Sequence, residues 1–173
     1  DKPLFLYVPF NGIHSPHQVP EEYLNPYSKI AGTRQKIAGM LSAVDEAIGK
    51  ITDTLERTGR GSNTLIVFSS DNGGPPATDN TPLTGFKGSL WEGGIRVPGL
   101  IEWPARVREP LRTRVPAGTV DILPTLCDAI GLPLPAANGP LDGVSLLPVL
   151  ERRATSRPTP LGFEQRRPTD GTL

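Results

Sequence analysis

The stretch SSDNGG follows directly after the apolar residues 65–68, and it contains two oxygen-bearing side chains, Asp71 and Asn72. Carboxylate and amide oxygens are the ligands that calcium and magnesium prefer in proteins. The two glycines that come next, Gly73 and Gly74, allow the backbone to turn sharply beside a bound ion. Asp, Asn and Gly are also ordinary turn residues. The stretch therefore predicts either an oxygen-rich metal site or a simple turn at the end of a strand.

Both histidines of the chain, His14 and His17, lie in the short stretch HSPHQVP. A histidine titrates close to neutral pH, so it can donate a hydrogen bond to an anion or act as a general acid. A loop histidine without a chemical role is the alternative for each of them. A zinc site is disfavoured, because the spacing is short and Cys127 is the only cysteine.

A single lysine, Lys87, lies among glycines in TGFKGSLWEGG. Its ammonium group can bind an anionic substrate as a point charge, and a solvated loop lysine is the alternative. In the same loop, Arg96 is expected to pair with Glu92, which would make it a structural residue. Cys127 lies on the apolar face of a short predicted helix, and we expect a buried, unreactive thiol there.

The elements that must position these side chains read as a strand, a helix and a second strand. Residues 4–8 and 65–68 are apolar runs of strand length. Between these two runs, apolar residues recur at steps of three and four, and this spacing predicts a helix that ends near Gly59. The recurring apolar residues are Ile37, Leu41, Val44, Ile48, Ile51 and Leu55. Such a unit predicts parallel strands with a right-handed crossover. Because ligands bind at the carboxyl edge of such sheets, we expect His14 or His17 close to Asp71 and Asn72.

Further elements follow the glycine-rich loop at residues 74–96, which is long enough to be functional. Residues 97–103 are predicted as a strand, and residues 121–130 as a helix closed by Gly131. A helical turn or two is expected within residues 142–150, another strand within 159–165, and a loose tail after that.

The composition of the 173 residues suits one domain with many loops, since there are 20 prolines and 19 glycines. Lys and Arg number 18, as do Asp and Glu, so the charge indicates neither a nucleic-acid partner nor a membrane surface. No apolar stretch is long enough to span a bilayer. One cysteine excludes a disulfide within the chain.

Several motifs in a fixed order resemble the later part of a type I sulfatase, with most similarity to the arylsulfatase B (N-acetylgalactosamine-4-sulfatase) branch. They include PLFLYVPFNGIHSPHQVPEEYL, TLIVFSSDNGG, GFKGSLWEGGIRVPGLIEWPA and VDILPTLCDAIGL, and the resemblance covers roughly residues 3–150. It implies an α/β fold, a partial alkaline-phosphatase-like sandwich whose mostly parallel central sheet is flanked by helices. Residues 1–150 would be the C-terminal portion of the catalytic domain, and residues 151–173 the start of a small subdomain or a loose tail.

The same resemblance implies the chemistry: hydrolysis of sulfate esters, of sugars above all, with calcium and a formylglycine. It implies that Asp71 and Asn72 are calcium ligands and that Lys87 holds the substrate sulfate. His14 would contact the sulfate and serve the leaving group as an acid, while His17 has no assigned role. The formylglycine motif C-x-P-S-R is absent from the 173 residues, and we expect it, with further calcium ligands, upstream. The 173 residues alone are then expected to be inactive.

Two alternatives remain open at the level of the sequence. One is a related metal-dependent phosphodiesterase or phosphonate hydrolase of the alkaline phosphatase superfamily. The other is a noncatalytic fragment that binds an anion. The partner expected of the enzyme is a small-molecule or glycan sulfate ester, with neither a nucleic acid nor a membrane span. By resemblance, a periplasmic, secreted or lysosomal location would fit.

Overall fold

The structure, a computed structural model, describes residues 2–135 and 139–165. The chain divides into two compact units, residues Asp1–Gly61 and Ser62–Leu173. Within the described residues, the helices and strands are α1 (Glu21–Leu24), α2 (Gly32–Arg57), β1 (Ile66–Ser69), α3 (Glu92–Ile95), β2 (Gly99–Glu102), α4 (Ile122–Ile130) and α5 (Leu147–Leu150). None of the helices in this part of the chain has the length and apolar character needed to cross a membrane.

The first unit is built on α2, which confirms the helix predicted from the spacing of its apolar residues. Gly59, two residues after the helix ends, has a φ of +70°, the left-handed conformation with which glycine commonly ends a helix. Helix α1 packs closely against α2: a Cβ on Gly39 of α2 would lie 2.9 Å from the carbonyl oxygen of Tyr23 of α1. The Tyr23 hydroxyl also donates a hydrogen bond to Glu46 (2.6 Å). These contacts fix the segment that follows the histidine loop onto the long helix.

The strand predicted at residues 4–8 is not present: the structure assigns no strand there. All five side chains are exposed, from 41% for Val8 to 80% for Phe5. An apolar run becomes a strand only where neighbouring strands accept its backbone hydrogen bonds and cover its faces. Among the described residues, no strand pairs with this run. The strand predicted within residues 159–165 is likewise not formed.

The sheet of the second unit consists of β1 and β2, which confirms strands close to the predicted positions 65–68 and 97–103. The two strands are antiparallel, with Ile66 opposite Glu102 and Ser69 opposite Gly99. The parallel pairing was predicted for residues 4–8 with residues 65–68, and it is not seen in the described residues, because residues 4–8 form no strand there. The loop between β1 and β2 contains only the single turn α3, and it returns the chain antiparallel along β1 rather than through a crossover helix.

The core of the second unit lies where α4 and α5 pack together, and both helices confirm the prediction. Gly131 closes α4 with a φ of +71°. Cys127 is buried as expected, and Leu147 and Val149 of α5 are buried with it. These small helices place a compact apolar cluster beside the loop that follows β2.

A buried ion pair that the sequence did not predict joins α4 to the chain after α5. Asp121 is fully buried, and its carboxylate accepts a hydrogen bond from Arg157 Nη1 at 2.6 Å. The backbone N–H groups of Gly118 and Val144 donate to the same carboxylate, each at 2.8 Å. Burial by itself raises the pKa of Asp121, but these three donors outweigh it and hold the pKa below its ordinary value.

Candidate functional site

The predicted metal ligands lie where β1 ends, at the start of the SSDNGG turn. The Ser70 hydroxyl donates to the backbone carbonyl of Asn72 (3.0 Å), which closes the turn locally. Asp71 is exposed and Asn72 is half-buried. Neither side chain has a hydrogen bond or ion pair with another described residue. Their oxygens are therefore available to an external ligand.

The glycines that follow have a different role from the predicted one. Gly73 and Gly74 do not have the positive φ that a sharp glycine turn would need. Instead, the Gly73 N–H donates to the carbonyl of Gly94 (2.9 Å), and a Cβ on Gly73 would lie 1.9 Å from the Gly93 carbonyl oxygen. Two backbones thus touch directly, and only glycine fits. The pairing of NGG with the distant EGG has no local sequence signal.

The backbone of Lys87 is bonded to the same glycine segment. Its backbone N–H donates to the carbonyl of Gly74 at 2.9 Å, and the neighbouring Gly85 and Gly88 have φ angles of +86° and +87°. The Lys87 side chain is exposed and forms no ion pair with any other described residue. The loop that carries this ammonium group is therefore bonded to the segment that directly follows Asp71 and Asn72.

Arg96, in contrast, is a structural residue, as predicted. Its Nη1 lies 3.3 Å from Glu92 Oε1, one helical turn earlier, and both side chains are mostly exposed. The pair spans α3, whose Gly93 N–H donates to the carbonyl of Thr84 at 2.7 Å. Arg96 therefore supports the turn and leaves Lys87 as the loop cation without a protein partner among the described residues.

His14 belongs to the first unit, where its ring is oriented by a local contact. The Nδ1 atom lies 2.7 Å from the carbonyl oxygen of Ser15. Because a carbonyl oxygen can only accept, Nδ1 carries the proton of this hydrogen bond, and Nε2 is left for another partner. His14 is exposed and His17 is half-buried. Proximity of either histidine to Asp71, which lies in the second unit, stays a prediction.

The donor chemistry fits a hard cation, but the set is incomplete. Calcium takes about six to eight oxygen ligands. Asp71, which is exposed, and Asn72, which is half-buried, offer oxygens of the right kind, without competing partners among the described residues. Within the described residues, however, no group of three or more His, Cys, Asp or Glu side chains is placed to hold a metal. This part of the chain can therefore supply a portion of a calcium shell.

An open cleft of the second unit lies away from these residues. It has a volume of about 760 Å³ and is lined by residues 113–116, 155–161 and 163. It includes neither Asp71 nor Lys87. The candidate site is thus an exposed loop surface that presents charge and is not enclosed by this part of the chain.

Comparison with known proteins assigns the family. The family model described as Sulfatase matches residues 1–132, which include the histidine loop, the strand-end turn and the Lys87 loop. The chain belongs to the sulfatase family. This confirms the resemblance that the order of motifs had indicated.

Named relatives agree with this assignment. The sulfatase chain is 48% identical to arylsulfatase J of Mus musculus over 106 residues, a match that covers 60% of this chain and 18% of that protein. It is 31% identical to steryl-sulfatase of Rattus norvegicus over 160 residues, covering 87% of this chain and 27% of the relative. The chain thus spans less than a third of the length of these curated relatives.

The fold of the chain is also similar to that of a solved structure. The crystal structure of Ps i-CgsB in complex with k-i-k-neocarrahexaose matches with a TM-score of 0.76 and 37% sequence identity. The match covers 82% of this chain and 32% of that one. The described helices and the small sheet are therefore compatible with part of a sulfatase α/β fold, although a parallel central sheet is not seen in them.

Proposed function

We propose that this sulfatase chain forms the charge-stabilising part of an active site that hydrolyses sulfate esters of sugars. The observation that supports this most directly is the hydrogen bond from the Lys87 backbone N–H to the Gly74 carbonyl (2.9 Å). It connects the segment of Lys87, whose ammonium group has no ion-pair partner among the described residues, to the turn that carries the side-chain oxygens of Asp71 and Asn72. A side-chain cation and a bound metal ion together can neutralise the oxygens of an oxyanion.

Asp71 and Asn72 are proposed as calcium ligands, because their side-chain oxygens are unengaged at the strand end. Calcium, when bound, supplies positive charge to the sulfate oxygens. Lys87 is proposed to bind the same oxygens through its ammonium group. Its charge stabilises the substrate most strongly where negative charge builds up in the transition state.

His14 is proposed to contact the sulfate and to protonate the departing alcohol. The hydrogen bond from Nδ1 to the Ser15 carbonyl holds the ring in one orientation. Nε2 then remains for the substrate, and in the imidazolium form it carries the proton that the leaving oxygen needs. The nucleophile is not among these residues, since the C-x-P-S-R motif is absent, so we expect it elsewhere in the gene product.

A sugar sulfate as substrate is supported by the solved relative, Ps i-CgsB, which was crystallised in complex with k-i-k-neocarrahexaose. The arylsulfatase B branch and the boundary at residue 150 stay predictions. Part of the proposed C-terminal segment, residues 166–173, lies outside the described residues.

Activity measurements on the full-length gene product test the proposal. We expect turnover of 4-nitrophenyl sulfate, with bis(4-nitrophenyl) phosphate and phenylphosphonate esters hydrolysed far more slowly. A preference for either phosphorus ester would favour the phosphodiesterase or phosphonate hydrolase alternative. Binding of inorganic sulfate without turnover of any ester would favour the noncatalytic alternative.

Replacement of Lys87 by alanine tests the role of the cation. By analogy with lost oxyanion donors, we expect a loss of about 3 kcal/mol of transition-state stabilisation, or roughly a hundredfold in kcat/KM. Lys36→Ala is the matched control, because Lys36 is exposed on α2. A kcat/KM within twofold of the wild-type value would remove Lys87 from the site.

A further inference from the structure

Asn80 occupies the centre of the loop that carries Lys87, and its side chain is fully engaged. Its Nδ2 donates to the carbonyl of Gly74 (3.0 Å) and to the carbonyl of Gly85 (3.2 Å). Its Oδ1 faces the Thr78 hydroxyl at 3.4 Å. Because both carbonyls can only accept, the orientation of the amide is fixed: nitrogen toward the two glycines and oxygen toward Thr78.

The two carbonyls that Asn80 holds flank the proposed catalytic groups. Gly74 follows Asn72 by two residues, and Gly85 precedes Lys87 by two. The Gly74 carbonyl accepts hydrogen bonds from Asn80 Nδ2 and from the Lys87 backbone N–H together. One side chain thus joins the end of the metal-ligand turn to the start of the lysine segment.

Hydrogen bonds to two glycine carbonyls connect Asn80 to the backbone on both sides of the loop. Gly85 has a positive φ, a conformation that glycine adopts readily. The backbone N–H of Lys87 donates to the Gly74 carbonyl, and the Asn80 amide donates to that same carbonyl and to the Gly85 carbonyl. The Asn80 amide therefore fixes the acceptor of the Lys87 backbone and the residue two positions before Lys87.

We propose that Asn80 is a positioning residue, which sets the placement of the Lys87 ammonium group relative to the Asp71 and Asn72 oxygens. This inference rests on the proposed function of Lys87. Asn80 itself need not touch the substrate, because its two donors are already used within the loop. A shift of about 1 Å in a positioned catalytic group can lower the rate about a hundredfold.

The test is a double-mutant cycle with Lys87 in the full-length gene product. Asn80→Asp keeps the shape and replaces the NH₂ donor by an oxygen that repels both carbonyls. We expect kcat to fall about 10- to 100-fold with a smaller change in KM. The decisive readout is the Lys87→Ala background, in which Asn80→Asp should lower kcat/KM less than threefold, because the group it positions is gone.

The matched control is Asn63→Asp, in the same unit. Asn63 uses its Oδ1 to accept a hydrogen bond from Trp103 Nε1 (3.3 Å), and aspartate retains that oxygen. This variant should keep the wild-type kcat/KM. Should Asn80→Asp fold poorly, Asn80→Ser serves in the same cycle: it removes the amide that donates to the Gly74 and Gly85 carbonyls, and a several-fold loss should again depend on Lys87.

The outcomes separate the inference from the function on which it rests. If Lys87→Ala has no effect, the proposed role of Lys87 fails. Suppose that Lys87→Ala lowers kcat/KM as expected, but Asn80→Asp lowers kcat/KM by the same factor in the wild-type and in the Lys87→Ala background. Asn80 then only stabilises the loop, and the positioning role is wrong. A wild-type kcat for Asn80→Asp would refute it directly.

Discussion

Replacing Arg157 by methionine perturbs the one buried ion pair among the described residues. Methionine fills a similar volume without the charge, so the Asp121 carboxylate keeps only the two backbone donors from Gly118 and Val144. Arg157 is 4% exposed and Asp121 is fully buried, so water cannot take the place of the guanidinium. The change therefore leaves a buried negative charge without its counter-ion.

The magnitude follows from two opposing terms. Breaking a buried pair by removing one partner destabilises a protein by about 3–5 kcal/mol. Arg157 Nε, however, is buried and has no hydrogen-bond partner among the described residues, and an unsatisfied buried donor costs about 1–3 kcal/mol. Methionine removes that donor. The expected net loss in the free energy of unfolding is therefore about 2 kcal/mol at pH 7.

The pH dependence has a definite sign. In the wild-type protein the pKa of Asp121 is held below its ordinary value, so the pair stabilises the fold above the unfolded value of about 3.9. That contribution is lost as pH falls through the folded pKa. In Arg157→Met, Asp121 is still buried but has lost its cation, so we expect its pKa to rise. As the pH falls, Asp121 therefore becomes protonated in the variant before it does in the wild-type protein, and protonation removes the cost of the buried charge. The difference in the free energy of unfolding between the wild type and Arg157→Met should therefore become smaller as the pH falls from 7 toward 4.

Urea denaturation followed by circular dichroism at several pH values measures both quantities. Arg96→Met is the matched control, since the ion pair of Arg96 with Glu92 is exposed and should change stability by less than about 0.5 kcal/mol. Equal stability of wild type and Arg157→Met at pH 7 would refute the reasoning. So would a difference that stays constant down to pH 4.

Two further predictions concern the strand-end turn. Asp71→Asn should weaken calcium binding, measured by calorimetry on the full-length gene product. Asp53→Asn, on the exposed face of α2, is the control and should leave the affinity unchanged. An unchanged calcium affinity in Asp71→Asn would exclude Asp71 as a ligand. Gly73→Ala should lower the thermal stability by an amount equivalent to about 1–3 kcal/mol, because its Cβ would meet the Gly93 carbonyl. Gly99→Ala, where a Cβ meets nothing within 4 Å, should leave the melting temperature almost unchanged, and equal melting temperatures for the two variants would contradict the close packing.

The local features of this chain were predictable from the sequence because their causes are local. Spacing of apolar residues predicted α2, and the glycines at 59 and 131 marked the ends of α2 and α4. The pairing of Glu92 with Arg96 was predicted because the two residues lie close together in the same loop, and the single turn α3 brings them together. The order of motifs identified the sulfatase family, and with it the candidate roles of Asp71 and Lys87.

Contacts between distant segments were decided by the tertiary structure. The pairing of β1 with β2, and its antiparallel direction, depends on the path of the intervening loop. Arg157 reaches Asp121 across 36 residues, and Gly73 meets Gly93 by direct contact of two backbones. No propensity or spacing encodes such contacts, because each depends on which surfaces the packed chain brings together. The sequence by itself determined the chemical groups and the long helix α2; only the packing of the chain decided which segments lie against one another.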